Sequence, residues 1–159
     1  MSIKIRICTI IAIAAAMFIA SATQAFAISA LDVWDNAARQ ALPMQVKIWL
    51  GLMMLTNIAA IGFLKNHVAA RWVFGGFVIS HLLVMVGFWK TGTPILAGQV
   101  SLFHIIFWTP GMIALLRCRN EITLPSAYGI WAILSLVFYF GSMVFDVPDA
   151  TIFIQHLLE

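Results

Sequence analysis

The chain has 159 residues, of which 63% are hydrophobic and 9% are charged. A soluble domain usually carries about 25% charged residues, so this composition excludes an ordinary water-facing surface and predicts an integral membrane protein. The net charge of +3 does not indicate nucleic-acid binding, because Lys4 and Arg6 belong to a predicted leader and the other basic residues form no run or stripe. The two cysteines, Cys8 and Cys118, cannot build a disulfide framework or a cysteine metal site once the leader is removed.

Residues 1–27 have the three parts of a signal peptide. Lys4 and Arg6 form a positive start, residues 7–20 are almost wholly apolar, and residues 25–27 read Ala-Phe-Ala, a small-residue cleavage pattern. We expect cleavage after Ala27, which leaves residues 28–159 as a single membrane domain. An uncleaved first helix that anchors the chain is the alternative, and both place residue 28 on the far side of the membrane.

Residues 29–42 follow the leader and mix apolar with charged positions. Leu31, Trp34, Ala38 and Leu42 recur at helical spacing, which predicts a short amphipathic helix on the membrane surface with Trp34 at the headgroup level. An ordered loop is the alternative. Pro43 should separate this segment from the first span.

Four apolar runs follow, each long enough to cross a ~30 Å hydrocarbon core as a helix. They lie at about 46–64, 70–89, 97–116 and 126–147. Their short connections predict an antiparallel four-helix bundle. Pro110 should kink the third span and Pro148 should end the fourth, which leaves 149–159 as a tail along the membrane.

The distribution of charge indicates the orientation of the bundle. With the N-terminus outside, the short inside loops carry Lys65, Arg71, Arg117 and Arg119, and nearly all acidic residues fall outside. This agrees with the leader. We therefore expect a multi-pass protein of the bacterial inner membrane with both mature termini on the periplasmic side.

His81 and His104 are the first candidate site. Both lie about 16–18 Å along their helices from the turn near Thr93, so a hairpin brings them to similar depth. Two facing imidazoles are what axial ligation of haem b requires, and Gly111 on the His104 face would leave room for a macrocycle. The alternatives are a structural hydrogen-bonding role, a proton relay or a substrate contact.

Polar residues on the fourth span form the second candidate site. At 100° per residue five of them share one face, which we expect to point into the bundle or towards a partner. They are Tyr128, Ser135, Tyr139, Ser142 and Asp146. Asn57 in the first span should face another helix, because its amide needs partners in lipid. Interhelical hydrogen bonding is one interpretation of the stripe, and a polar path opening outside is the other. The small pair Gly76 and Ser80 indicates close helix packing, within the chain or with another subunit.

The sequence holds no catalytic motif and no soluble domain, so an enzyme is not expected. Three hypotheses remain. The first is an accessory or assembly subunit of a larger membrane complex or homo-oligomer. The second is a small-solute or proton transport component that uses the polar stripe. The third is a b-type haem or metal redox protein ligated by His81 and His104.

Overall fold

The computed structural model describes residues 29–92 and 95–159, so the predicted leader lies outside the described residues. Those residues are all-helical and contain no named strand. A short helix, α1 (Asn36–Ala41), precedes four long ones. These are α2 (Met44–Ala59), α3 (Val68–Thr91), α4 (Ala97–Arg117) and α5 (Ala127–Leu158). Two 3-10 helices, Ala60–Phe63 and Arg119–Glu121, continue α2 and α4.

Four helical stretches are long and apolar enough to cross a membrane, which confirms the predicted fold class at this level. They are Met44–Phe63, Val68–Gly87, Ala97–Arg117 and Ala127–Leu158. Large apolar side chains such as Leu55, Trp72 and Leu82 remain exposed on them, as on helices that face lipid. The helices run up and down in sequence. We call the end of the bundle with residues 30–43 the N-terminal end, and the end with both 3-10 helices the loop end.

The N-terminal segment differs from the predicted amphipathic helix of 29–42. Only Asn36–Ala41 is helical, capped by Asp35, whose side chain accepts a hydrogen bond from the Ala38 amide. Residues 30–34 run instead along the start of α4. The amides of Ala97 and Gly98 donate to the carbonyls of Asp32 and Ala30 at 2.9 and 2.8 Å. The first amides of a helix have no partner within that helix. Here the carbonyls of residues 30 and 32 accept from them, so these carbonyls are not available for a helix formed by residues 30–34.

Pro148 does not end the fourth span, contrary to the sequence prediction. It lies inside α5, which runs on to Leu158, and the expected tail is the last part of this helix. A proline removes one amide donor and crowds the carbonyl four residues earlier, but the neighbouring turns can keep the helix continuous. At 1.5 Å per residue its 32 residues extend about 48 Å, well beyond the ~30 Å that a span needs.

Glycines bring α3 and α4 into close contact at two points. A Cβ added at Gly76 would clash with the carbonyl oxygen of Phe107, and one at Gly111 would lie 3.0 Å from the Cα of Val73. Between them Trp108 is fully buried, and its indole Nε1 donates to the Ser80 hydroxyl at 3.0 Å. The small pair Gly76 and Ser80 therefore serves packing within the chain.

Candidate functional site

A histidine and an aspartate meet between α4 and α5 in the half of the bundle nearer its N-terminal end. His104 Nδ1 lies 3.4 Å from Asp146 Oδ1, as a hydrogen bond, and 3.3 Å from Oδ2, as an ion-pair contact only. Their side chains are 18% and 12% exposed. Asp146 Oδ2 is buried with no hydrogen-bond partner among the described residues. Ionisable groups buried within a membrane helix are costly, so this pair marks a candidate site.

The pair lies in the wall of a cavity of about 100 Å³ at the N-terminal end of the bundle. Residues of α2, α4 and α5 line it, together with Trp34 and Leu42 from the segment before α2. Ser101, Ser142 and Asp149 add polar atoms to otherwise apolar walls. A mostly apolar space with a few convergent polar groups is the usual form of a small-ligand site.

An aromatic layer, formed by Trp108 and Tyr139 with Asn57, packs next to His104 on the side of the loop end. The ring of His104 stacks on Trp108 with centroids 3.9 Å apart, and Trp108 stacks on Tyr139 at 5.1 Å. Tyr139 is fully buried, and its hydroxyl donates to Asn57 Oδ1 at 2.8 Å. The Asn57 amide in turn donates to the Met53 carbonyl at 2.9 Å. This layer joins all four long helices, because Trp108 also bonds to Ser80 on α3.

His81 lies beside this layer, with its ring centroid 6.5 Å from that of His104, as the matched depths predict. Its Nδ1 lies 2.8 Å from the Phe77 carbonyl oxygen, which can only accept, so Nδ1 carries the hydrogen. The adjacent Ser80–Trp108 hydrogen bond holds α3 and α4 too close for a macrocycle to enter between the two histidines. Val73 also fills the space beside Gly111. Haem ligation stays a prediction, and this packing does not favour it. A group of three or more metal-ligating side chains is also absent from the described residues.

The polar stripe of α5 is buried along its whole length, from Tyr128 to Asp146. Ser142 and Asp146 line the cavity, and Ser142 donates to the sulfur of Met53 at 3.3 Å. Tyr139 lies in the aromatic layer. Ser135 donates to the carbonyl of Trp131 in its own helix, at 3.0 Å. The Tyr128 hydroxyl has no partner among the described residues. The stripe therefore lines the cavity at its Asp146 end and is packed inside the bundle at its Tyr128 end.

Tyr128 belongs to a separate cluster at the loop end. The His67 ring stacks on it with centroids 3.5 Å apart, and His67 Nδ1 lies 2.7 Å from Glu121 Oε2. This contact ties the connection after α2 to the one after α4. Arg71 lies nearby and donates to the Leu64 carbonyl at 2.7 Å.

Sequence reasoning treated His104 and Asp146 as members of different constellations, and it gave no site role to Asp149, Trp34 or Trp49. Counting symmetrically about Ile122 pairs His104 with Phe140 rather than Asp146. The hairpin is asymmetric because α5 starts farther towards the loop end than α4 finishes, a shift that no local signal reveals.

No protein-family model, curated protein or solved structure matches this chain.

Proposed function

We propose that the protein is a transport component for a small solute, which binds in the cavity at the N-terminal end of the bundle. The observation that carries this proposal is the buried His104–Asp146 pair in the cavity wall, with one carboxylate oxygen lacking a hydrogen-bond partner among the described residues. Buried ionisable residues of membrane helices commonly mark ion and substrate pathways.

The aromatic layer supplies the barrier that a carrier needs on one side of its site. Alternating access requires the site to be closed towards one face of the membrane while it opens to the other. Here Trp108, Tyr139 and Asn57 separate the cavity from Ser135 and Tyr128. The packing therefore supports a carrier seen with its site closed towards the loop end, and an open pore does not fit it.

We further propose that the protein works in a bacterial inner membrane, with the cavity opening on the periplasmic side. The support is the signal-peptide pattern of residues 1–27 and the four basic residues that fall at the loop end. These are Lys65, Arg71, Arg117 and Arg119. The solute would then enter from outside the cell.

Tracer uptake into proteoliposomes tests the proposal. Labelled tetramethylammonium, glycine and urea represent a cation, a zwitterion and a neutral solute of suitable size. We expect uptake of at least one above protein-free liposomes, and a loss of about tenfold or more in Asp146→Asn, because a buried charge partner is removed. Asp32→Asn is the matched control, since this exposed carboxylate lies outside the cavity wall, and its uptake should stay near that of the unsubstituted protein. Uptake of none of the three would reject the proposal.

The accessory-subunit hypothesis stays a prediction that needs no cavity. Exposed apolar side chains on the long helices suit lipid and a protein partner equally well, so they do not favour it. A cavity with a buried ionisable pair is, in contrast, costly to maintain unless it binds something. For this reason we place transport first.

A further inference from the structure

The charge of the cavity wall restricts what can bind there. Asp146 and Asp149 both line it, and among the described residues neither a lysine nor an arginine does. His104 is the single other ionisable group of the lining within that part of the chain, and its Nδ1 already faces Asp146. The wall is therefore acidic, and a ligand that neutralises it would be a cation.

Asp146 provides the strongest indication of a missing partner. The residue is 8% exposed, and its Oδ2 has no hydrogen-bond partner among the described residues, although the carboxylate lines the cavity. His104 Nδ1 lies 3.3 Å from this oxygen without forming a hydrogen bond to it, so the burial of the carboxylate is compensated only in part. A positive charge in the cavity would complete that compensation.

Aromatic side chains provide the second half of the site. Trp34, Trp49 and Phe145 line the same cavity as the two carboxylates. The backbone of Trp34 is held by its amide, which donates to the Ile95 carbonyl at 2.7 Å, and Trp49 packs edge-on against Phe138. Tryptophan and phenylalanine rings attract organic cations through their negative faces, and rings of this kind recognise alkylammonium groups. A bare metal ion would gain little from such walls.

The volume sets the size of the cation. A cavity of 150 Å³ in another protein holds benzene, with its six heavy atoms, so about 100 Å³ fits about four to six heavy atoms where the cavity opens at its rim. A hydrated ion or a long polyamine would not fit inside.

We propose that the cavity binds a small organic ammonium cation of about four to six heavy atoms, with Asp146 as its counter-ion and the rings of Trp34 and Trp49 against its alkyl surface. This inference names the solute class and rests on the proposed transport function. Asp149, the second carboxylate of the lining, adds to the attraction for a cation.

Equilibrium binding of tetramethylammonium to the purified protein in detergent tests the proposal by calorimetry. We expect saturable one-site binding, with no binding of the neutral molecule tert-butanol or of the anion propionate, which both have the same number of heavy atoms as tetramethylammonium. Asp146→Asn should weaken binding by about tenfold or more. Trp34→Leu should weaken it by roughly threefold or more, the share of one cation–π contact.

Two controls separate binding from folding. Trp89→Leu removes a tryptophan that is 81% exposed and does not line the cavity, so its affinity should equal that of the unsubstituted protein. Asp32→Asn removes an exposed carboxylate that does not line the cavity, so it should also leave the affinity unchanged. If Asp146→Asn fails to give a monodisperse protein, the Trp34→Leu and Trp89→Leu pair still decides the question, because Trp34 is only partly buried and its replacement should not prevent folding.

The outcomes of the two experiments are distinguishable. Absence of tetramethylammonium binding, equal binding of tert-butanol, or equal affinity of Trp34→Leu and Trp89→Leu would overturn the cation proposal. If glycine or urea uptake nevertheless depends on Asp146, transport stands with another solute class. Saturable, Asp146-dependent binding without uptake of any tracer would keep the cation site and reject transport.

Discussion

The hydroxyl of Tyr139 on α5 donates a hydrogen bond to Asn57 on α2, and both side chains are buried. Tyr139→Phe would leave Asn57 Oδ1 unpaired in an apolar interior. We expect the free energy of unfolding to fall by about 1 kcal/mol, since such bonds contribute about 0.6 kcal/mol on average in membrane proteins and an orphaned partner adds to the loss. Reversible unfolding in mixed micelles measures it.

Tyr128→Phe is the matched control for this prediction. It deletes the same hydroxyl from the same helix, but the Tyr128 hydroxyl is buried without a partner among the described residues. Its removal should leave the free energy of unfolding unchanged or raise it, because an unpaired buried hydroxyl is unfavourable. Equal losses in both variants would show that the Tyr139–Asn57 bond contributes no stability.

Sequence pattern located single polar residues better than it located their partners. The burial of Asn57 and of the stripe follows from the cost of polar groups in lipid, which is a property of each residue. The partner of each group depends on helix offset. His81 and His104 could be matched because they lie at similar distances from the connection between α3 and α4. The His104–Asp146 pair could not, because the connection before α5 is asymmetric.

The contact between α3 and α4 depends on Gly76. A methyl group there would meet the Phe107 carbonyl oxygen, whereas Gly75, its neighbour in sequence, has nothing within 4 Å of an added Cβ. Gly76→Ala must therefore separate the helices locally, and we expect it to lower the free energy of unfolding by about 1–3 kcal/mol, as overpacking of a core does. The same unfolding assay measures it, and far-ultraviolet circular dichroism should show unchanged helix content.

Gly75→Ala tests whether the effect belongs to the contact or to glycine itself. An alanine at this open position should leave the stability unchanged or raise it by up to about 1 kcal/mol, because glycine has the lower helix propensity. A loss equal to that of Gly76→Ala would contradict the close-contact argument.

Helix boundaries were predicted well where hydrophobicity decides them. They were predicted poorly where backbone groups form hydrogen bonds with another part of the chain. The start of α4 at Ala97 and its end near Arg117 match the predicted span of 97–116. Residues 30–34 do not form the predicted helix, because the carbonyls of Ala30 and Asp32 accept hydrogen bonds from the first amides of α4. Pro148 was expected to terminate α5 on its intrinsic cost alone, although the continuing apolar residues Ile152 and Phe153 favour more helix.

At the scale of the whole molecule, the proposed function requires the cavity to open on the periplasmic side. Cysteine labelling checks this in a background with Cys8→Ser and Cys118→Ser. Gln40→Cys places a thiol on the exposed surface of α1 at the N-terminal end, and Asn120→Cys places one on the exposed 3-10 helix at the loop end. Both sites are exposed, so their labelling by a membrane-impermeant maleimide reports on sidedness.

We expect intact spheroplasts to label the Gln40→Cys protein, and to label the Asn120→Cys protein only after the membrane is permeabilised. Moving lysine and arginine side chains across the membrane during insertion is costly, so we expect the basic residues of the loop end to stay on the cytoplasmic side. The intact mass of the purified protein should also show loss of residues 1–27. The reverse labelling pattern would turn the cavity towards the cytoplasm. The ammonium site could then persist, but its solute would be loaded from inside the cell, and the closed aromatic layer would face outwards.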